Sequence, residues 1–365
     1  MIVPIATQEA GRFMETNIKK DYKKHQAKKR LTILFLALLT LMAVFWSINA
    51  GAIKISPIEI FEASLGRGEK KIVSVVRSIR LPRVVSGLIA GAGLSIAGAI
   101  MQNNLKNPLA SPSTLGISNA AAFGANVAII LLGAGSISNS GIGEVQISNP
   151  YMVTICAMVF SLLATILIIG LSKLGSFTTQ SIILAGVSLS SLFSAGTMII
   201  QYFAKDSTKV AAVVFWTFGD LGRSTWKEVL IMGVIVLIST LYFIHHRWDY
   251  NALDSGEDTA KSLGVNVEKI RLISMGLSSI ITAVTVSFLG VIGFIGLISP
   301  HITRRIIGSD NRFLLPASAI MGALILVVSD TLARIVISPS MLPVGAVTSF
   351  LGAPLFLYFL IKGDM

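Results

Sequence analysis

Arg80-Leu-Pro-Arg83, GLIAGAGLSIAGAIMQ from Gly87 to Gln102, and NPLASPSTLGIS from Asn107 to Ser118 form the stretch that decides the fold. Two arginines precede an uncharged apolar segment ribbed with small residues, and a polar Asn-Pro turn follows it. Gly87, Gly91, Ser95, Gly98 and Gln102 recur three or four residues apart, so they share one helical face. Small residues on one face let helix backbones approach closely, and that contact is the main source of helix association in lipid. Pro108 blocks continued regular helix and biases Asn107 toward extended backbone, so Gln102 to Leu109 reads as a turn presenting amides. Similar ribs recur at Gly290, Gly293 and Gly296 and at Gly345 and Gly352, where ordinary tight packing explains them equally well.

Composition extends this reading to the whole chain. Its 365 residues are 53% hydrophobic and only 13% charged, with a mean hydropathy of +0.77, whereas soluble domains carry about 25% charge. The chain therefore reads as a polytopic membrane protein. The net charge of +12 sits in segments between apolar runs, where it sets topology instead of recruiting nucleic acid. Cys156 is the sole cysteine, so no disulfide framework and no cysteine-based metal site is expected, and a small core residue is the simplest role for it.

Residues 1–30 carry eight Lys/Arg against Glu9, Glu15 and Asp21, and Leu31 to Ala50 then runs uncharged for 20 residues. That run is one bilayer crossing long. Its length and the extended basic region before it separate it from a cleavable signal peptide. The basic tail orients the chain, with attraction to anionic lipid as the alternative role. Further uncharged runs occupy about 84–102, 114–133, 150–171, 180–204, 227–245, 272–292, 294–307, 313–336 and 343–361, making ten spans in all. Gly293, Gly296 and Pro300 break the long interval between Arg271 and Arg304 into a full span and a short one.

An even number of spans puts both termini on one side of the membrane. The tail, the 246–271 segment and RRIIGSDNR at 304–312 are basic, as cytoplasmic segments are. The first loop breaks that rule. Lys54, Arg67, Lys70, Lys71, Arg77, Arg80 and Arg83 face three acids in a loop that parity places outside.

The RLPR block, the NPLASPSTLGIS block, LGVIGFIGLISPHITR at 289–304 and LPVGAVTSFLGAPLFLYFL at 342–360 occur in an order that resembles the FecCD-type permeases of ATP-binding-cassette importers. The resemblance covers roughly residues 31–362, nearly everything except the basic tail at 1–30. It implies an all-α polytopic integral membrane protein of about 10 transmembrane helices with the type II importer permease fold. It also implies a function: passage of a ferric siderophore, or alternatively haem or vitamin B12, from a substrate-binding protein into the cytoplasm by alternating access. The implied partners are a second permease subunit, identical or related, two ATPase subunits, an extracytoplasmic binding protein and the lipid bilayer of the cell membrane. Both termini are then cytoplasmic.

Residue by residue, the resemblance implies that Arg80, Arg83 and Arg334 face outward and pair with acidic lobes of the binding protein. Bidentate guanidinium–carboxylate bonds suit such docking, and an outward basic loop would explain the breach of the charge rule. An intrahelical pair with Asp330 is the structural alternative for Arg334. The resemblance further places gate residues at Asn107 and Leu109, and at Thr179 and Gln180, where SFTTQS departs from the family's Thr-Ser pair. LDSGEDTAKSLGVNVEKIR at 253–271 resembles the family's ATPase-coupling helices, with Glu257, Ala260, Leu263 and Gly264 as the best matches and a solvated amphipathic loop as the alternative.

The sequence contains no G-x-x-x-x-G-K-[ST], so the chain is expected to be no enzyme, with ATP and Mg bound by a partner ATPase and no cofactor of its own. His25, His245, His246 and His301 show no metal-ligand spacing. An independent ion-coupled carrier would need acidic residues inside its spans, and Asp330 is the one good candidate.

Overall fold

The computed structural model describes residues 5–51, 55–137, 145–147, 149–174, 179–338 and 340–362. The elements run α1 (Ile5–Asn49), α2 (Pro57–Ser64), α3 (Lys70–Val75), α4 (Leu81–Asn104), α5 (Ile117–Asn126), β1 (Gly135–Ile137), β2 (Val145–Ile147), α6 (Pro150–Leu174), α7 (Thr179–Tyr202) and α8 (Ser207–Thr217). They continue with α9 (Trp226–His245), α10 (Arg247–Asp254), α11 (Glu257–Ser262), α12 (Val267–Leu289), α13 (Ile295–Ile307), α14 (Asn311–Ile335) and α15 (Val344–Ile361). A π-helical turn, Val76–Arg80, welds α3 onto α4, and another, Val127–Leu131, extends α5. The only sheet among the described residues is the antiparallel β1–β2 hairpin, with Ser136 opposite Gln146.

All ten apolar runs are helices. Seven of the resulting segments are long and apolar enough to cross a membrane, while Ile117–Leu131, Val344–Phe359 and α13 are shorter. Helix α1 runs unbroken through residue 30, from the basic tail into the first apolar run. Lys, Gln, Ala and Arg are good helix formers, so the change of hydropathy there brings no change of conformation.

The helices alternate between two ends of the bundle. The tail end carries the first residues of α1, the C-terminus of α4, α10 and α11. The loop end carries the C-terminus of α1, α2, α3, the hairpin and α8. At the centre stands α4, buried along most of its length against α9, α12, α13 and α14.

Its small residues are what permit this. A Cβ on Gly98 would collide with the carbonyl oxygen of Gly296 in α13, and one on Gly91 with that of Gly322 in α14. The next turn continues the contact, with the Ser95 hydroxyl donating to the Ser318 carbonyl at 2.6 Å. The helices α6, α7 and α9 are mostly exposed and apolar, as helices facing lipid or a neighbouring chain are.

Where the chain breaks helix within the bundle, backbone pairs with backbone. Asp220 N donates to Leu289 O at 2.7 Å, Val344 N to Gly219 O at 3.2 Å and Gly345 N to Phe218 O at 3.1 Å. Gly219 and Gly290 take φ of 72° and 79° at this junction, a region open to glycine at no steric cost. Such satisfaction is what non-helical backbone at membrane depth requires. After the junction, α13 restarts at Phe294, itself at φ 66°, as a half-length helix running to the tail end.

Candidate functional site

At the loop end, Arg80, Arg83 and Arg334 are buried, with 6, 7 and 9% of their surface exposed. Arg83 grips Asp330 with two nitrogens, Nε at 3.0 Å and Nη2 at 2.8 Å from Oδ1. Asp220 stands 3.3 Å from the same guanidinium. Arg334 Nε donates to the other Asp330 oxygen at 3.1 Å. Its Nη1 reaches Ala50 O at 2.7 Å and its Nη2 reaches Ser47 Oγ at 2.7 Å. Arg80 Nη1 donates to Ile48 O at 2.7 Å.

The last carbonyls of α1 lack intrahelical partners and carry the negative end of its dipole, so two arginines cap that terminus. This revises the expectation of outward-facing guanidiniums. The three arginines fasten α1, α4 and α14 together, and the Arg334–Asp330 pair is present. Among the described residues, the exposed cations of this end include Arg67, Lys70, Lys71 and Arg77, with Lys205 and Lys227 beside α8 and at the start of α9.

The tail end holds a second network, built around α10. Asp254 accepts from Asn103 Nδ2 at 2.7 Å and from Asn311 Nδ2 at 3.1 Å. Asn251 accepts from the Asn311 backbone at 2.8 Å and donates to Asp310 at 3.0 Å. Gln102 donates to Leu297 O at 3.2 Å and accepts from Arg304 at 3.3 Å. Tyr250, fully buried, bonds Ser274 of α12 at 2.7 Å. One short helix is thereby pinned to the C-terminus of α4, to α12 and to the start of α14.

Burial pushes the Asp254 carboxyl above the usual range, against the Arg304 charge and the Asn311 bond that oppose it. Asp310 goes the other way. Burial works against its charge, but bonds from Arg312 and Asn251 draw it down to about 2.

Directly after α10, Gly256 at φ 126° and Gly264 at φ 83° bound α11. Ala260 is the buried residue of α11, and Leu263 projects with 68% of its surface exposed. Glu257 pairs with Arg271 of α12 at 2.5 Å, and that bond holds its carboxyl below the usual range.

In the turn that follows α4, Asn107 Oδ1 accepts from Leu109 N at 2.9 Å, and Lys106 takes φ 42°. Leu109 is 43% exposed. Farther along, Gly116 lies against Gly186 and Ser190 of α7, which seats the segment on that helix. Gln180 is exposed at the start of α7, and Thr179 opens the helix with its side chain outside the described residues. Among the described residues, no hydrogen bond joins Gln180 to Asn107 or Leu109.

Sequence reasoning missed the partners of this end: Asp254, Asn251, Arg304 and Asn311. It also set Asn103 and Asn104 in the turn, whereas they close α4. Asn104 is buried with both amide atoms unbonded within the chain. A pair of asparagines ending an apolar span was the available signal. His246 pairs with Asp249 at 2.6 Å, yet no group of three potential metal ligands exists among the described residues.

A conserved-family model for the FecCD transport family matches residues 38–362. The chain belongs to the FecCD transport family. This permease is 49% identical over 346 residues to an ABC transporter permease protein of Methanocaldococcus jannaschii, covering 95% of the chain and 98% of the relative. It is 32% identical to the hemin transport system permease of Yersinia pestis, over 92% of the chain and 97% of that protein. With the iron(3+)-hydroxamate import permease of Bacillus subtilis it shares 35% identity over 93% of the chain and the relative's full length, 100%. Its structure superposes on an inward-facing metal-chelate type ABC transporter with a TM-score of 0.79 at 28% identity, over 91% of this chain and 99% of that one. This FecCD protein is thus an ABC importer permease, an all-α polytopic membrane protein.

Proposed function

We propose that this permease carries a ferric siderophore, delivered by an extracytoplasmic binding protein, and that separate ATPase subunits drive the passage. The observation that carries the reading is the α10 network. A segment shaped to be pushed from outside the bundle, α11, follows directly on α10, a helix bonded to the end of the central span. Displacement of α11 acts on α10 through their shared chain, and α10 holds Asn103 through Asp254. The Asn107–Leu109 turn follows Asn103 within a few residues. A push at Glu257, Ala260, Leu263 and Gly264 thereby reaches the gate turn through the Asp254–Asn103 hydrogen bond.

The loop end supports the same reading. Asp330, the one acid well placed to bind a coupling ion, is held by Arg83 and Arg334. A carboxylate so engaged is a poor site for a transported proton or sodium ion, so energy must enter elsewhere. We assign binding-protein docking to the exposed Arg67, Lys70, Lys71 and Arg77, with Arg80, Arg83 and Arg334 forming the rigid bed beneath them. The tail end, with both termini, then faces the cytoplasm. Two permease chains enclose the path, lined by α7 and α15, whose exposed apolar faces lack partners in the single chain.

A siderophore is favoured because relatives carry hemin and iron(3+)-hydroxamate in their names and one solved neighbour is described as of the metal-chelate type. Haem and vitamin B12 are the alternative cargoes. The discriminating experiment incubates the companion binding protein with each chelate and records its thermal unfolding. Stabilisation by a ferric siderophore supports the assignment, and stabilisation by haem or vitamin B12 alone replaces it.

A further inference from the structure

The outer wall of the bundle is cut by a groove of about 780 Å³ between α1, α4, α9 and α14. It opens because the residues meeting there are small: Ala37 of α1 and Gly233 of α9 on the walls, Ala92 and Ala323 on the floor. Its lining is apolar almost throughout, and its size falls within the roughly 300–1,000 Å³ of small-molecule sites. The groove lies at mid-depth of four spans, so it opens to hydrocarbon and not to water. The chemistry available to fill it there is a lipid chain.

A second observation, on the same helix, fixes the headgroup. At 100° per residue, Arg30, Gln26 and Lys23 continue the α1 face that presents Ala37, Leu41 and Val44 to the groove. Seven residues separate Arg30 from Ala37, about 10 Å along the helix. Both cations are exposed, while Asp21, the nearest acid, lies on the opposite face. The depth of the interface is marked at this end by Trp248, exposed, with the Arg312 guanidinium 4.6 Å above its ring.

We propose that this stripe and groove form a binding site for one anionic glycerophospholipid, its phosphate on Lys23 and Arg30 and one hydrocarbon chain between α1 and α9. A merely annular lipid would require neither the gap between helices nor its alignment with two cations.

The test is native mass spectrometry of the purified transporter complex in mild detergent, titrated with phosphatidylglycerol or phosphatidylcholine. The wild type is expected to retain one phosphatidylglycerol per permease chain in preference to phosphatidylcholine. Lys23→Gln with Arg30→Gln should weaken that retention roughly tenfold or more, since each surface cation is worth about 1 kcal/mol toward an anionic lipid. Gly233→Leu fills the groove and should abolish retention, with Ala37→Leu filling it from the other wall if the first variant folds poorly. Lys24→Gln with Lys28→Gln removes equal charge from the opposite face and should change nothing. Equal retention of both lipids overturns the proposal. So does retention unaffected by either the charge pair or the groove fillers, or lost equally with the opposite-face pair.

Discussion

Asp330 sits under two guanidiniums with almost no water to share the charge. Removing it leaves Arg334 buried without a carboxylate and Arg83 with only the half-exposed Asp220 at 3.3 Å, and breaking a buried pair costs about 3–5 kcal/mol. Asp330→Ala should therefore lower the thermal unfolding temperature sharply, and Arg334→Ala should do so less, because Arg83 still neutralises the carboxylate. Equal, small shifts for both variants would show the cluster to be solvated. At the other end, Asp310 titrates near 2 in the folded chain, below an ordinary carboxylate at about 3.9. A depressed folded pKa contributes stability above the unfolded value and loses it as pH falls toward the folded one. The stability gap between wild type and Asp310→Asn should stay constant from about pH 8 to about pH 5 and shrink as pH falls from about 4 toward about 2, measured by denaturation at each pH.

Residue roles were only partly legible in the sequence. Arg80, Arg83 and Arg334 stand out as charges beside apolar spans, but whether such a side chain turns to solvent or to a carbonyl depends on where α1 ends. That is a tertiary fact. Asp254 and Asn311 are far apart in the chain and look like ordinary loop polars until α10 folds between α4 and α14.

At the scale of elements, the apolar runs and their breaks were readable because length and charge answer directly to the bilayer. The glycine stripe of α4 was readable as close packing. What it packs against was not, since Gly98 meets Gly296 and Gly91 meets Gly322 only after α13 and α14 are placed. Gly98→Ala should destabilise by about 1–3 kcal/mol through overpacking. Gly170→Ala, on the open face of α6 with nothing near the new methyl, should be neutral or stabilise by up to about 1 kcal/mol. Chemical denaturation of the two variants in the same detergent separates packing from propensity. The boundary at residue 30 was not readable as a structural one, because hydropathy changes there and helix propensity does not.

The molecule as a whole places a braced, charge-neutralised loop end opposite a hydrogen-bonded tail end, with one central helix joining them. If the α10 network transmits work, Asp254→Ala should leave ATP hydrolysis by the assembled transporter intact while uptake falls about tenfold or more, an uncoupling and not a loss of assembly. Uptake and hydrolysis falling together would instead assign Asp254 a purely structural part. The central claim, that passage through this permease is powered by ATP hydrolysed elsewhere, is tested most directly in proteoliposomes. This chain with its companion ATPases and binding protein should accumulate a ferric siderophore only when ATP is enclosed on the tail side, and the chain alone should accumulate none under any ion gradient. Uptake by the chain alone, driven by a proton or sodium gradient without ATP, would contradict the account.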